Sequence, residues 1–232
     1  MEIRKLEKIA DFCILQSSEV GNLGLFSGKI GIIIFMFHYS IYSKKKIYAD
    51  FAEILIDELF KDIHKKIPLD FDKGLAGIGW GIEYIIKNNF VKGDSYEILG
   101  NIDKQLMIWN IKRYENESLE CGLEGLFHYI LYHLPINKTM KIPFDSEYIK
   151  DIEIVATKKA QYCENFDLQN LAQYYVEWIK GGNLNYNPNI LIKRVFSIIS
   201  DLSEYKEKSE FKELYNSYSW MGIRLLDILN LK

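Results

Sequence analysis

Side chains in this sequence open three kinds of chemistry, and each set stands near a glycine-rich turn. Asp70 and Asp72 precede Gly74, Glu83 follows it, and Glu124 lies between Gly122 and Gly125. Two carboxylates facing each other across a cleft can act as general acid and general base in glycoside hydrolysis. Trp80, Trp109, Trp178 and Trp220 are the candidate platforms for stacking sugar rings. Cys121, His128 and His133 are candidate metal ligands. On one straight helix, however, Cys121 and His128 lie two turns and about 10 Å apart, too far to share an ion. His128 and His133 do not stack either, and Cys163 can join them only through tertiary contact. His38 ends an apolar segment and His64 stands in a charged one, neither with a sequence partner that suggests catalysis. The third chemistry is non-covalent recognition on a concave, aromatic-lined surface.

Plainer roles compete with each of these. An Asp before a helix caps it, and acidic residues favour helix N-termini. Tryptophan usually enters the core, and an unpaired cysteine behaves as a small hydrophobe. The run Lys44-Lys-Lys46 reads as a solvated loop that could also mark a partner contact.

Composition narrows the classes further. The 232 residues suffice for one sizeable core, and a hydrophobic share of 48% against 26% charged is that of a globular chain. The net charge of −3 leaves no electrostatic footprint for general nucleic-acid binding. The longest apolar stretch, residues 30–37, is far short of the roughly 18–20 residues that span a bilayer. The charged, periodic N-terminus lacks the apolar run of a signal peptide. Three cysteines, Cys13, Cys121 and Cys163, are odd in number and form no CxxC pair, so a reducing, cytoplasmic location is expected.

The elements that must position these residues repeat. Gly28-Lys-Ile-Gly31, Gly74-Leu-Ala-Gly77 and Gly122-Leu-Glu-Gly125 begin 46 and 48 residues apart, and each leads into an apolar helical segment. The period extends to degraded copies at Leu168-Gln-Asn-Leu171 and Ser219-Trp-Met-Gly222. Between them run amphipathic patterns over residues 2–18, 46–65, 95–114, 145–163 and 188–208, with Asp94 the expected cap of the third. Each repeat therefore pairs a half-exposed helix with a more buried one that cannot be covered alone. The reading is all-α: tandem helical hairpins forming an α/α toroid of about five outer and inner pairs, one domain over residues 1–232, with looser segments around 135–145 and 180–190. An open α-solenoid is the rival. The glycines let each loop come close to the inner helix, and the inner-helix N-termini could also face a shared ligand.

The stretch Leu69-Asp-Phe-Asp-Lys-Gly-Leu-Ala-Gly-Ile-Gly-Trp-Gly-Ile-Glu-Tyr84 resembles a repeat of lanthionine synthetase C-like proteins, and Gly24-Leu-Phe-Ser-Gly-Lys-Ile-Gly31 resembles another. The resemblance covers roughly residues 20–130 and fades afterward. It implies an α/α toroid, and in catalytic members a zinc ion at the mouth. There a peptide cysteine adds to a dehydrated serine or threonine, with zinc lowering the thiol pKa. The family's ligands come from a Trp-Cys-x-Gly motif and a Cys-His-Gly motif. This chain has no Cys-His pair, and Met221 of Trp220-Met221-Gly222 stands where a ligand cysteine would be. A thioether is a poor zinc ligand beside a thiolate.

The functional expectation is thus a non-catalytic or accessory relative in lanthipeptide-type peptide modification, binding a precursor peptide or a peptide-modifying enzyme, with no cofactor of its own. A carbohydrate-active toroid using mouth carboxylates and a zinc-dependent thioether cyclase with a rebuilt metal site are the alternatives. No catalytic residue is assigned. A ligand site is expected at the inner-helix entrances, around Gly28, Asp72, Gly74, Gly77, Trp80, Gly122 and Glu124.

Overall fold

The apolar spacing becomes helix throughout the residues that the computed structural model describes, 2–18, 21–26, 28–63, 66–204 and 218–230. Ten α-helices and one 3-10 turn form, and there is no strand among the described residues. In chain order the α-helices are α1 (Glu2–Gln16), α2 (Lys29–Ser43), α3 (Ile47–Asp62), α4 (Leu75–Lys87), α5 (Ser95–Met107) and α6 (Leu123–His133). Then come α7 (Ser146–Gln161), α8 (Phe166–Ile179), α9 (Asn189–Glu204) and α10 (Tyr218–Asn230).

The amphipathic helices and those that follow the glycine motifs bury different amounts of surface, as their sequences require. In α3 only Ala52, Leu55 and Leu59 are buried, one stripe at helical spacing. In α4 every residue from 75 to 85 is buried. A helix apolar all round has to be covered on all sides, and each large apolar side chain so covered contributes about 1.5–3 kcal/mol.

Contacts divide the chain into two compact units. The first, Met1–Ile67 with Asn189–Lys232, is built from both ends of the chain, with α10 packed on α1 and α2. The second, Pro68–Pro188, holds α4 against α5 and α6, and α8 against α6 and α7.

Several boundaries follow the expected signals. Asp94 caps α5 by accepting from Tyr96 N–H at 2.9 Å. Turns and irregular chain fill residues 135–145 and 180–188. Three boundaries differ. The helix expected over 95–114 stops at Met107, because the Asn110 side chain accepts from Lys112 N–H and starts the 3-10 turn Ile111–Arg113. Leu168-Gln-Asn-Leu171 lies inside α8, which starts earlier because Asn165 caps it through Leu168 N–H at 3.1 Å. Ser219-Trp-Met-Gly222 is likewise within α10, where Gly222 admits the Phe35 ring: a Cβ there would come within 2.7 Å of Phe35 Cδ2. His64, Lys65 and residues 205–208 of the expected helices lie outside the described residues.

Candidate functional site

The three intact glycine motifs build one joint three times. Gly28, Gly74 and Gly122 are the N-caps of α2, α4 and α6, with φ/ψ of −133/−169°, −114/−171° and −132/−168°. In each joint the next residue donates its N–H to a carbonyl seven positions back: Lys29 to Asn22 (3.0 Å), Leu75 to Pro68 (2.8 Å) and Leu123 to Asn116 (2.8 Å). Ile30 and Ala76 repeat the pattern one residue on, to Leu23 and Leu69, both at 3.3 Å. These N–H groups have no partner inside their own helix, so the loop caps the helix with its backbone and leaves these donors nothing to offer a ligand while it is in place. The close approach explains the glycine. A Cβ would meet Asn22 O at 2.6 Å, Asp70 O at 2.5 Å and Asn116 O at 2.7 Å in the three joints.

Of the expected site residues, Gly28 belongs to the first unit and the other six to the second. Asp72, Gly74, Gly77 and Trp80 come from the 68–74 loop and α4, and Gly122 and Glu124 from the entrance of α6. The two entrances touch. Phe71 and Asp72 both donate N–H to Glu120 O at 2.8 Å, and Phe71 covers Gly125, where a Cβ would lie 2.7 Å from Phe71 Cγ. Glu124 is fully buried and accepts from Asn165 Nδ2 at 2.8 Å, which ties the start of α6 to the cap of α8. Asp70 is committed to its own loop through Lys73 N–H at 2.8 Å. Trp80, Trp178 and Trp220 are core side chains, and only Trp109 is half exposed.

Further along, α4 and α6 run side by side in the same direction. Gly79 lies against Tyr129, where a Cβ would be 2.9 Å from Cζ. Trp80 lies beside Tyr132, with ring centroids 5.4 Å apart. One turn on, the buried carboxylate of Glu83 meets the buried His133 at 2.9 Å, and Asp103 of α5 meets the other ring nitrogen at 3.2 Å. Tyr129 OH donates to Asp103 at 2.6 Å, and Lys87 Nζ pairs with Glu83 at 2.9 Å and also donates to Tyr132 O. Burial disfavours the imidazolium, but hydrogen bonds and charge from Asp103 and Glu83 outweigh it and push the His133 pKa up to about 9. Burial likewise opposes the Glu83 carboxylate, and the bonds from His133 and Lys87 win, holding it below its ordinary value. This closed, charge-balanced cluster joins three helices.

Between the entrance and this cluster lies an aromatic slot. His128 is buried on α6, and its Nδ1 lies 2.9 Å from the hydroxyl of Tyr186, which also accepts from Trp80 Nε1–H at 3.1 Å.

The cysteines stay separate. Cys13 is buried, and burial pushes its thiol up to about 12. Cys121 is exposed beside Asn116 Nδ2 (3.2 Å) and Ser118 Oγ (3.6 Å). Cys163 is half-buried and donates to Glu117 at 3.4 Å. Among the described residues no group of three or more His, Cys, Asp or Glu side chains is placed to hold a metal ion.

Sequence reasoning missed the pairing of Glu83 with His133 and Asp103, and the placement of Tyr186. A carboxylate in a helix apolar all round was the available signal for the first, since a buried charge requires a partner. No family model, curated protein or solved structure matches the chain.

Proposed function

We propose that this protein is a non-catalytic, accessory relative of the lanthionine synthetase C-like proteins, acting in the cytoplasm by binding a precursor peptide or a peptide-modifying enzyme. Its five helical pairs close into an α/α toroid. The observation that carries the reading is the joint repeated at Gly28, Gly74 and Gly122, with one backbone conformation and one loop-to-helix hydrogen bond each time. It is the physical content of the motif on which the resemblance rests. The packing of α10 on α1 and α2 returns the end of the chain to its start, which supports a closed ring. Three free cysteines suit a reducing compartment. The accessory role follows from the sequence, which has Met221 where a ligand cysteine would stand and no Cys-His pair.

Two measurements test this reading. Leader-bearing lanthipeptide precursors, labelled with a fluorophore, are titrated with the protein and followed by anisotropy. Saturable binding by at least one of them, without thioether formation in the dehydrated peptide, is the expected result. Elemental analysis after dialysis gives the second arm: about one zinc per chain would overturn the accessory role in favour of a rebuilt cyclase site. Absence of binding by every precursor would remove peptide recognition.

A further inference from the structure

The segment 181–188 joins α8 to α9 without regular structure. Gly181, at φ +97°, turns the chain out of α8, and Asn183, Asn185 and Asn187 are exposed. Leu184 N–H anchors the middle of the segment to Ile136 O at 2.7 Å. From this exposed strap one ring enters the protein. Tyr186 lies 5.6 Å from the ring of Tyr132 and 5.8 Å from that of His128, and its hydroxyl reaches Trp80 and His128.

The walls of this slot belong to packed helices, whereas its contents come from a loop. Trp80 and His128 are no more than 1% exposed. Their polar nitrogens come from two different helices and converge on one oxygen. The indole N–H is a donor only, so the phenol oxygen accepts from it, and the phenol proton is placed to go to His128 Nδ1 when the imidazole carries its own proton on Nε2. A buried donor and acceptor so spaced suit a hydroxyl at the tip of an aromatic ring. A phenylalanyl ring would fill the same volume and leave both nitrogens without this partner.

We propose that this slot between α4 and α6 is a binding site for a tyrosyl side chain of a partner peptide, and that Tyr186 fills it as an internal stand-in on a removable strap. The proposal rests on the peptide-binding reading above and specifies its contact. A tyrosine in an extended segment enters with its backbone outside, as the strap does, and the strap is displaced. Competition from the strap lowers the apparent affinity for an external ligand by the fraction of time the slot is open.

The test uses N-acetyl-L-tyrosinamide and N-acetyl-L-phenylalaninamide as probes, titrated calorimetrically into the wild-type chain and into Tyr186→Ala. Tyr186→Ala should bind the tyrosyl probe at least about tenfold more tightly than wild type, because the competitor is gone. It should also prefer that probe over the phenylalanyl one by about tenfold, because the second brings no hydroxyl to the two nitrogens. Equal binding of both probes, or no binding to Tyr186→Ala, overturns the proposal and leaves Tyr186 a core residue.

Should Tyr186→Ala fail to fold, amide exchange of the wild-type chain decides. The tyrosyl probe should speed exchange in residues 183–187 while leaving α4 and α6 unchanged, and no change in the strap overturns the site. The labelled precursor peptides separate the two levels. A precursor bound equally by wild type and Tyr186→Ala sinks the slot and keeps peptide recognition. A slot that takes the tyrosyl probe while no precursor binds keeps the slot and sinks the precursor reading.

Discussion

Glu83 and His133 lie fifty residues apart in sequence, and their side chains meet at 2.9 Å with only about 2% of either exposed. Asp103 closes the far side of the imidazole, so His133 bridges two buried carboxylates, and Lys87 supplies the second positive charge at Glu83. Removing the imidazolium leaves both carboxylates buried, Glu83 with Lys87 and Asp103 with the Tyr129 hydroxyl in place of a cation. His133→Ala should therefore destabilise the protein by about 3–5 kcal/mol, the usual cost of orphaning a buried ion. His133→Phe should cost a similar amount, since restoring the ring volume does not restore the charge. Urea unfolding checks both. A loss below about 1 kcal/mol for either would mean that the cluster is hydrated.

Two histidines should give the two units opposite responses to pH. His133, in the second unit, has its folded pKa raised to about 9 from 6.5. Its contribution is complete below 6.5 and is lost as pH rises through 9, a decline of about 3 kcal/mol at most. His38, in the first unit, has its pKa lowered to about 4 by burial. Its contribution is present above 6.5 and is lost as pH falls toward 4. Stability should therefore peak near pH 6.5. Amide exchange followed from pH 5 to 9 should show α4 and α6 losing protection on the alkaline side and α2 on the acid side. Parallel loss in both units at either extreme would contradict the assignment.

The parts of this architecture that were legible in the sequence are those with a local cause. Gly28, Gly74 and Gly122 recur because a loop carbonyl passes where a Cβ would sit, and only one residue type permits that. Asp94 announces α5 because capping is settled within a few residues. Where the cause is remote, the reading stopped. Asn165 replaces the glycine joint at α8 with a side-chain cap, so projecting the glycine period misplaced the helix start. His133 looked ordinary because its partners are 50 and 30 residues away. Tyr186 carried no signal at all, since an irregular strap has no period.

Glycines in this chain should divide sharply in their response to alanine. At Gly74 a Cβ would come within 2.5 Å of Asp70 O, a backbone atom that no rotamer change can move. Gly74→Ala should cost roughly 1–3 kcal/mol, the range for forced overpacking. At Gly100, within α5, a Cβ would meet nothing within 4 Å. Gly100→Ala should stabilise the protein by about 0.5–1 kcal/mol through the higher helix propensity of alanine. Thermal melts of the two variants test the contrast, and a stabilised Gly74→Ala would remove the joint as the reason for the motif.

Thiol labelling should rank the cysteines by environment. Cys121 is exposed, Cys163 is half-buried and held by Glu117, and Cys13 is buried. Burial and the Glu117 hydrogen bond raise the Cys163 pKa, while Cys13 is pushed to about 12 by burial alone. The thiolate is the species that reacts, so a thiol with a pKa of 12 presents only about one part in ten thousand as thiolate at pH 8. Iodoacetamide at pH 8, with peptides resolved by mass spectrometry, should modify Cys121 first, Cys163 more slowly and Cys13 only on unfolding. Glu117→Gln removes the carboxylate that favours the neutral thiol and should speed modification of Cys163 without changing Cys121. Early labelling of Cys13 would mean that α1 opens on the experimental timescale, and that the first unit is not closed over its core.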